Sequence, residues 1–394
     1  MNQQFDVMVV GGGVVGLTAA LAMLSRGFSV ALIDAGSVTV NSADIDPRVY
    51  AINQASEDLL QALKVWVHLD KTRISSYRQM YVWDAASQAH IEFDARTIVS
   101  DHLGTIIEES VLKQAILQAL DLQKAKFTVL AHSTVSQIEE HEEGILVASG
   151  ETRWKAQLLM IADGGNSPCR QLLKVPLTTW SYHQQALVAL VHTEKSHQRT
   201  AYQVFNPDGP LAFLPLNDTH LCSIVWSTTP TQAKQLMALP EEAFNRDLTK
   251  AFASKLGEVQ LMSKRYQFPL TMRHAKQYSG KRWLLLGDAA HTIHPLAGLG
   301  LNVGLADVAT WLAGLDDGNK RLTSQKVLGA YQRQRKYEVW QTIALMDGFK
   351  SLFTNSLTPV IALRGFGLRM CNAITPLKRM FIEQAAGKKL IHFE

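Results

Sequence analysis

The first 34 residues combine a short apolar run, a glycine-rich turn and a helical pattern. Val7–Val10 suits a buried strand of a parallel sheet, and Leu17, Leu21 and Leu24 recur at the spacing of one helix face. The segment VALID, residues 30–34, then provides a second apolar strand. Strand, turn, helix and strand in this order predict a Rossmann-like βαβ unit at the start of the chain.

The glycines of the turn, Gly11, Gly13 and Gly16, form a G-x-G-x-x-G sequence, and Asp34 ends the second strand. One glycine makes the turn, one lets the backbone approach a pyrophosphate, and one lets the helix pack closely on the strand. The helix N-terminus favours phosphate, and a carboxylate at the strand end can accept both hydroxyls of an unphosphorylated adenosine ribose. We therefore expect a dinucleotide to contact Gly11, Gly13, Val14, Val15, Gly16, Asp34 and Ala35.

A second glycine-rich block, LLLGDAAHTIHPLAGLGLNVGLADV, occupies residues 284–308. Its apolar strand ends at Asp288, on the edge of an open α/β sheet where ligands bind. Pro295 leads a loop in which Gly298 and Gly300 permit close backbone approach, and the N-terminus of the following helix suits a ligand that becomes anionic, as reduced flavin does. Because NAD alone would leave this block without a ligand, the two blocks predict bound FAD. Its adenylate would lie on the first block and its ribityl chain and ring on the second.

Strand patterns rich in β-branched and aromatic residues lie between the two blocks. They cover 185–193, 201–207, 211–216 and 220–228, and a helical stretch follows around 240–256. From about residue 325 the pattern is helical to the end. We predict an α/β fold in which a Rossmann-like FAD-binding domain carries an inserted, mainly antiparallel β-sheet substrate domain and a C-terminal helical segment. The boundaries are 1–75 with 100–175 and 275–330 for the FAD-binding domain, 76–99 with 176–274 for the substrate domain, and 331–394 for the helical region.

Composition restricts the class of protein. With 394 residues, of which 47% are hydrophobic, the chain can bury the cores of two domains. A net charge of +4 gives no field that favours nucleic acid. The three cysteines form no CxxC pair, which indicates a reducing compartment without a disulfide framework or a zinc site. No basic region precedes the first strand, and no run of 18 apolar residues occurs, so we expect a cytoplasmic protein.

The motifs together resemble the ubiquinone-biosynthesis FAD-dependent hydroxylase family, single-component aromatic hydroxylases of the para-hydroxybenzoate hydroxylase type. The resemblance spans nearly the whole chain. It rests on GGGVVG (11–16), DPRVYAIN (46–53), ADGGNSPCR (162–170), GDAAHTIHPLAGLGLN (287–302), GPLAFLPL (209–216) and QFPLTMRHA (267–275).

This resemblance implies roles for several residues. Arg48 should contact the FAD pyrophosphate region, Asp163 with Gly164 should serve FAD and the nicotinamide cofactor, and Asp288 should bind a ribityl hydroxyl. The second block should supply the remaining cofactor contacts, those near the ring being backbone contacts: Gly287, Pro295, Gly298, Gly300, Leu301 and Asn302.

The implied activity is hydroxylation of the aromatic ring of a polyprenylated phenol or quinol in ubiquinone biosynthesis. NAD(P)H, which has no Rossmann fingerprint of its own in this chain, would reduce bound FAD, and dioxygen would supply the oxygen atom. Because the flavin carries the chemistry, we name no catalytic acid or base. The protein would orient the ring and exclude water.

Two residues depart from the family pattern. Leu299 stands where the family usually has glutamine, and Glu109 starts the helix after LGTII, where members often have Asn, Gln or Arg. A carboxylate near the flavin opposes its reduction, so we assign Glu109 no role. Leu299 keeps open a catalytically silent flavoprotein that is a partner in a quinone-synthesis complex. An FAD-dependent hydroxylase of another aromatic substrate and a peroxide-releasing dehydrogenase are further alternatives. A halogenase would need a W-x-W-x-I-P motif, which is missing.

Other residues have a functional and a structural interpretation. His291 and His294 have no acidic or cysteine partner in register, so we expect no metal and predict that His291 caps its loop through backbone hydrogen bonds. Aromatic side chains on the central strands would either line a substrate pocket or belong to the core: Tyr202, Phe205, Phe213 and Trp226.

The C-terminal region carries a basic surplus among apolar positions. Its charged residues from 348 onward are Lys350, Arg364, Arg369, Lys378, Arg379, Lys388 and Lys389 against Glu383 and Glu394. One interpretation is a helical pair packed on the FAD-binding domain with solvated lysines. The other is a peripheral contact with an anionic inner-membrane surface, where a polyprenyl substrate would reside. A quinone-synthesis complex or a homodimer is a further expectation.

Overall fold

The computed structural model of the chain describes residues 3–40, 44–293, 298–317 and 321–387. The helices are α1 (Val14–Ser25), α2 (Gln54–Ala62), α3 (Glu109–Asp121), α4 (Pro168–Leu172), α5 (Pro230–Ala238), α6 (Glu241–Ala251), α7 (Leu299–Asp317), α8 (Gln325–Thr354), α9 (Thr358–Ala373) and α10 (Thr375–Ala385). The strands are β1 (Gln3–Val10), β2 (Val30–Ile33), β3 (Val49–Asn53), β4 (Ile74–Tyr77), β5 (Gln79–Asp84), β6 (His90–Asp94), β7 (Gly104–Glu108), β8 (Phe127–Leu130), β9 (Gln137–His141), β10 (Gly144–Ser149), β11 (Thr152–Ile161), β12 (Leu177–Thr193), β13 (Thr200–Asn206), β14 (Gly209–Pro215), β15 (Leu221–Thr228), β16 (Val259–Leu261), β17 (Tyr266–Ala275), β18 (Trp283–Leu285) and β19 (His291–Thr292).

The first sheet has the order β8-β2-β1-β11-β10-β9, with β18 beside β11. The strands β8, β2, β1, β11 and β18 are parallel. In their register Val10 pairs with Ile33 and with Ile161, and Ile161 pairs with Leu285. Because these strands end level with one another, the residues that follow them meet at one sheet edge although they are far apart in sequence.

Two further sheets complete the fold. A small antiparallel sheet has the order β3-β7-β4, and a large sheet has the order β19-β17-β12-β15-β14-β13-β5-β6 with β16 beside β12. The large sheet is antiparallel apart from the parallel pair β13 and β5. The predicted fold class, a Rossmann-like domain with a mainly antiparallel sheet and C-terminal helices, is confirmed.

The two faces of the large sheet have different neighbours. Along β14 burial alternates, as the two-residue period of a strand requires. One face carries Phe213 and Trp226 against α6, where Phe213 stacks on Phe252 with ring centroids 3.7 Å apart. Leu190 and Leu214 belong instead to an apolar cluster shared with the small sheet.

The helices differ from the prediction in two places. The expected helix around 240–256 ends at Ala251, and α5 precedes it. Pro230 opens α5, Thr229 caps it by accepting a hydrogen bond from Gln232 N at 3.3 Å, and Pro240 separates it from α6. In the C-terminal pair, α9 packs on β6 of the large sheet, whereas the last turn of α10 reaches the start of α2, where Ala386 O accepts from Ala55 N at 3.1 Å.

Candidate cofactor site

The first glycine turn is determined by close backbone packing. Gly11 has φ +108°, and a Cβ there would lie 2.3 Å from Ala162 O. A Cβ at Gly16 would lie 1.9 Å from Gly11 O, so α1 can approach β1 only through glycine. Gly13 is exposed and would meet nothing within 4 Å. Since α1 has no side-chain cap, its N-terminal N–H groups face this open space.

Asp34 follows β2 and bends back toward the same turn. Its carboxylate accepts hydrogen bonds from Gly12 N at 2.5 Å and from Gly36 N at 2.7 Å. Each carboxylate oxygen keeps a further lone pair, and Asp34 is only half-buried, while Ala35 beside it is exposed. The Asp34 carboxylate is therefore held at the glycine turn and can accept further hydrogen bonds.

Asp163 follows β11 next to the first turn, and its Cα would lie 3.0 Å from a Cβ at Gly11. One oxygen accepts from Cys169 N at 3.0 Å. The other, Oδ1, is buried and has no hydrogen-bond partner among the described residues. Gly164, with φ +86°, then turns the chain away from the sheet edge.

The second glycine block packs directly on the first. A Cβ at Gly304 would lie 2.8 Å from Val15 Cγ2 and 3.2 Å from Gly287 Cα. Gly287 has φ +55°, and a Cβ there would lie 3.2 Å from the same Val15 side chain. A Cβ at Gly300 would meet none of the described residues within 4 Å, and Leu301 is half-buried against the main core. Two stretches separated by nearly the whole chain therefore form one continuous surface.

A buried carboxylate, Asp307 of α7, supports the second block from behind. It accepts from Gly287 N at 2.8 Å, from His291 Nε2 at 2.8 Å and from Arg335 Nε of α8 at 2.6 Å. Burial alone would raise the pKa of Asp307, but the charges of His291 and Arg335 outweigh it and lower the pKa. The prediction that His291 caps its loop through backbone hydrogen bonds is wrong, because its ring binds this carboxylate.

Asn302 uses its side chain to hold α7 against β3. Its Oδ1 accepts from Asn53 N at 2.9 Å, and its Nδ2 donates to Ala51 O at 2.7 Å and to Gly298 O at 3.2 Å. A Cβ at Gly298, where φ is +64°, would lie 3.0 Å from Ala51 Cβ. The backbone around Gly298 is thus fixed by the small sheet.

A cluster of polar groups on the small sheet and α3 lies near Asp288 of the second glycine block, and the region between this cluster and the glycine turns is called the cleft. Arg48 Nε lies 2.9 Å from Glu109 Oε2, and the Tyr50 hydroxyl donates to the same oxygen at 2.8 Å. Burial lowers the pKa of Arg48, but Tyr50 and the carboxylates of Glu109 and Asp288 raise it overall. Asp288 is open to solvent yet densely surrounded by protein, and this burial raises its pKa against the opposing charges of His291, Arg48 and Arg273. The charges of Arg48, Glu109 and Asp288 interact, so these groups surround one region of the molecule.

The aromatic residues considered for a pocket belong mainly to the core. Phe213 and Trp226 are buried under α6, Tyr202 packs on the same cluster, and Phe205 stacks on Phe353 of α8 with ring centroids 4.0 Å apart. The opposite side of the large sheet faces Ala51 and therefore the second glycine block. Its apolar cluster contains Ala51, Ile106, Leu190 and Leu216, with Val49, Tyr77, Leu214 and Leu221 partly exposed.

Among the predicted residues, Pro295 and His294 lie outside the described residues. No group of three or more His, Cys, Asp and Glu side chains suitable for a metal occurs in the described part of the chain. Sequence reasoning missed Asp307 and Arg335, although an acid among the apolar residues in the middle of α7 was a signal that a buried partner exists. It considered both Glu109 and Arg48 but did not predict that Arg48 and Tyr50 contact Glu109.

The C-terminal basic residues do not all face solvent. Arg364 is buried and paired with Asp84, with Nε 2.9 Å from Oδ2, and Lys350 Nζ donates to Tyr182 O at 2.7 Å. Counting these two as part of a basic surface was wrong. Arg369 and Arg379 are exposed, and Lys388, Lys389 and Glu394 lie outside the described residues. Across 3–40, 44–293, 298–317 and 321–387, the helices include none with the length and apolar character to cross a membrane.

The described residues fit FAD. Gly13 leaves open space at the uncapped start of α1, where a pyrophosphate can approach the backbone. The unpartnered Asp163 Oδ1 and the accessible Asp288 carboxylate lie along the same edge and offer acceptors for hydroxyl or amide donors.

Comparison with known proteins gives a consistent picture. A family model described as FAD binding domain matches residues 4–345. The chain is 35% identical to 3-demethoxyubiquinol 3-hydroxylase of Escherichia coli, covering 98% of this chain and 99% of that protein. It is 32% identical to the mitochondrial ubiquinone biosynthesis monooxygenase COQ6 of Homo sapiens, covering 97% and 92%. The crystal structure of p-nitrophenol 4-monooxygenase PnpA from Pseudomonas putida superposes with a TM-score of 0.80 at 18% identity, covering 99% of this chain and 100% of that one, which supports the fold alone.

Proposed function

The chain belongs to the FAD binding domain family, and from this premise we propose that it is an FAD-dependent monooxygenase of ubiquinone biosynthesis. It would use NAD(P)H and dioxygen to hydroxylate the aromatic ring of a polyprenylated phenol or quinol. The observation that carries the proposal is the similarity over nearly the full length to relatives named as hydroxylase and monooxygenase of the ubiquinone pathway. The cleft geometry agrees with it.

We propose that FAD lies along the edge of the first sheet. The turn at Gly11, Gly13 and Gly16, with Val14 and Val15 of α1, binds the pyrophosphate, while Asp34 and Ala35 contact the adenosine ribose. Arg48 faces the pyrophosphate from the opposite wall. The ribityl chain and ring lie along the second block and the end of β11, at Asp163, Gly287, Asp288, Pro295, Gly298, Gly300, Leu301 and Asn302.

The proposed domains follow from this arrangement. Segments 1–75, 100–175 and 275–330 supply the first sheet and most of the small sheet, and segments 76–99 and 176–274 supply most of the large sheet. The short strand β19 of the first unit pairs with β17 of the second and joins the two. We propose 331–394 as the helical region; in its described part, through residue 387, α9 rests on the large sheet, while α8 already begins at Gln325.

We propose that the substrate ring binds between the large sheet and the second glycine block. The apolar side chains Val49, Tyr77, Leu214 and Leu221 are partly exposed there, close to Ala51 and hence to Gly298. Bound FAD supplies the hydroxylation chemistry. The chain's own residues orient the two rings and exclude water, so Leu214→Gln should raise the KM for a prenylated substrate while FAD affinity is unchanged.

The first test is an assay of the purified chain with FAD, NADPH and a short-chain prenylated phenol under air. We expect NADPH oxidation that depends on the substrate, and a product heavier by one oxygen atom, about 16 mass units. Omitting the phenol is the control for uncoupled oxidation. Bound FAD without substrate-stimulated oxidation would favour the catalytically silent flavoprotein, and Leu299→Gln, which restores the family's amide, would be the next variant. A chain that binds no FAD would contradict the proposal.

We also propose a peripheral membrane contact through the outer side of α9. Leu363, Phe366, Met370 and Ile374 recur at helical spacing and are exposed, Leu363 by 68% and Phe366 by 60%. Exposed apolar stripes of this kind mark interaction sites, and the exposed Arg369 beside the stripe favours an anionic surface.

Vesicles containing anionic lipid test this contact. We expect the chain to sediment with them at low salt and to lose this binding in Leu363→Ser with Phe366→Ser. The matched control is Leu122→Ser, an exposed leucine at the end of α3. If the chain does not bind anionic vesicles, the proposed membrane contact is wrong. Loss of self-association in the double variant would instead assign the stripe to a homodimer.

A further inference from the structure

The proposed FAD site as described above assigns no role to Glu109, although Arg48, with which Glu109 forms an ion pair, has one. It is the first residue of α3, directly after β7, and its backbone N–H donates to Arg48 O at 3.0 Å. In the small sheet Val49 pairs with Glu108, so Arg48 and Glu109 stand opposite each other at the end of this strand pair. Arg48 and Tyr50 are two residues apart and project to the same face.

Among the described residues, the side-chain polar contacts of Glu109 are on one oxygen. Its Oε2 lies 2.9 Å from Arg48 Nε and accepts the Tyr50 hydroxyl at 2.8 Å. The Arg48 side chain is 59% exposed and that of Glu109 is 21% exposed, so the anchored end of the pair is the carboxylate. Within the described residues, neither terminal nitrogen of Arg48 donates a hydrogen bond. The guanidinium is therefore fixed near Nε while its two terminal amino groups remain available.

The backbone that carries Arg48 is fixed by a second ion pair. Arg73 Nε donates to Glu108 Oε1 at 2.8 Å, and Asp46 N donates to Glu108 Oε2 at 2.6 Å. Asp46 in turn accepts from Arg48 N at 2.9 Å. Because the backbone is held, the position of the guanidinium depends on what its own side chain contacts.

We propose that Glu109 is a positioning residue, which holds the Arg48 guanidinium toward the cleft so that its terminal nitrogens meet the cofactor's pyrophosphate. The inference rests on the proposed FAD site. An exposed arginine samples many side-chain conformations, and a partner at Nε removes much of that freedom before the anion arrives.

If Glu109 has this role, its contribution to the free energy of FAD binding changes sign when Arg48 is removed. With Arg48 present, Glu109 favours FAD by ordering the guanidinium. With Arg48 removed, the same carboxylate is an unpaired negative charge in the cleft and repels the pyrophosphate. A residue that only stabilises the fold would have no reason to change sign.

The experiment is a double-mutant cycle on the full-length chain, stripped of FAD and titrated with FAD while flavin fluorescence reports binding. Arg48→Gln should weaken binding. Glu109→Gln should weaken binding about fivefold in the wild-type background and strengthen it in the Arg48→Gln background. Tyr50→Phe, which removes a donor to Glu109 without altering either charge, is the matched control and should change the dissociation constant less than about twofold.

The outcomes separate the inference from the proposed function. The role of Glu109 would be overturned if Glu109→Gln had equal effects in both backgrounds, or if this variant alone bound FAD more strongly than the wild type. Neither result would contradict the proposed FAD site. An unchanged dissociation constant in Arg48→Gln would overturn the role of Arg48 as well. A wild-type chain that binds no FAD would overturn the proposed function itself. Thermal unfolding of each variant without FAD shows whether the fold is intact.

Discussion

The two glycine-rich blocks lie side by side at one sheet edge, but they are held in place differently. The first, at residues 11–16, is fixed by steric contact between backbone atoms of neighbouring elements, and its essential positions are empty of side chains. In the second, the described residues 287–293 and 298–302 are held mainly by buried polar side chains: Asp307 binds the backbone of Gly287, and Asn302 binds that of Gly298. The first block takes its packing and its polar contact mainly from residues 11–34, with Ala162 as the distant exception, whereas Asn302 ties the second block to β3, far earlier in the chain.

The largest effect should come from filling the first block. In Gly16→Ala the new Cβ would lie 1.9 Å from Gly11 O, and backbone cannot move aside as a flexible side chain can. We expect the free energy of unfolding to fall by about 4 kcal/mol or more, with loss of FAD binding. Denaturant unfolding monitored by circular dichroism measures it. A loss below about 1 kcal/mol would contradict the view that this block is fixed by packing.

The second block should respond most to Asp307→Asn, which leaves the buried Arg335 with only the half-buried Glu338 as a charged partner. Breaking a buried ion pair on one side typically costs about 3–5 kcal/mol. The pKa of Asp307 is lowered in the folded state, so its stabilising contribution is present above the ordinary value of 3.8 and is lost as the pH falls through the lowered value. Acid unfolding of the variant should lack this contribution, and Arg335→Gln is the matched partner variant. Unchanged stability at neutral pH would contradict the proposed support.

The same difference between the two blocks determines how much of each could be predicted from the sequence. The first block was predicted with its strand, turn, helix and acid, because all of these lie within 34 residues and each has a local steric requirement. For the second block the strand end and the loop glycines were predicted, but its supports were not. Asn302 binds Ala51 and Asn53 some 250 residues earlier, with sequence separations of 251 and 249. Arg335 reaches Asp307 only through the packing of α7 and α8, and His291 reaches it from β19; no local pattern encodes either contact.

A smaller effect is expected from Asn302→Ala, which removes the hydrogen bonds that tie Gly298 to β3. It leaves Ala51 O and Asn53 N without partners in a buried place, which costs about 1–3 kcal/mol. The effect on FAD should exceed the effect on the fold, because the freed loop is the proposed ring-binding segment. Flavin fluorescence titration beside thermal unfolding separates the two. Asn355→Ala, at the end of α8, is the control for loss of an asparagine side chain.

The smallest effect on stability, and the sharpest contrast with Gly16, should come from Gly13→Ala. Gly13 has an extended backbone conformation that alanine adopts without strain, and a Cβ there would meet nothing within 4 Å. The fold should therefore lose only about 0.5 kcal/mol, the order expected when alanine replaces glycine at the start of a helix. The open space at this position is where we propose that the pyrophosphate approaches the backbone, so FAD should bind about tenfold more weakly, because the methyl group occupies that space. Titration with FAD beside denaturant unfolding distinguishes the two effects. If FAD binding were unchanged while Gly16→Ala unfolded the chain, the first block would be a packing element alone, and the phosphate contact would have to be sought at the start of α7.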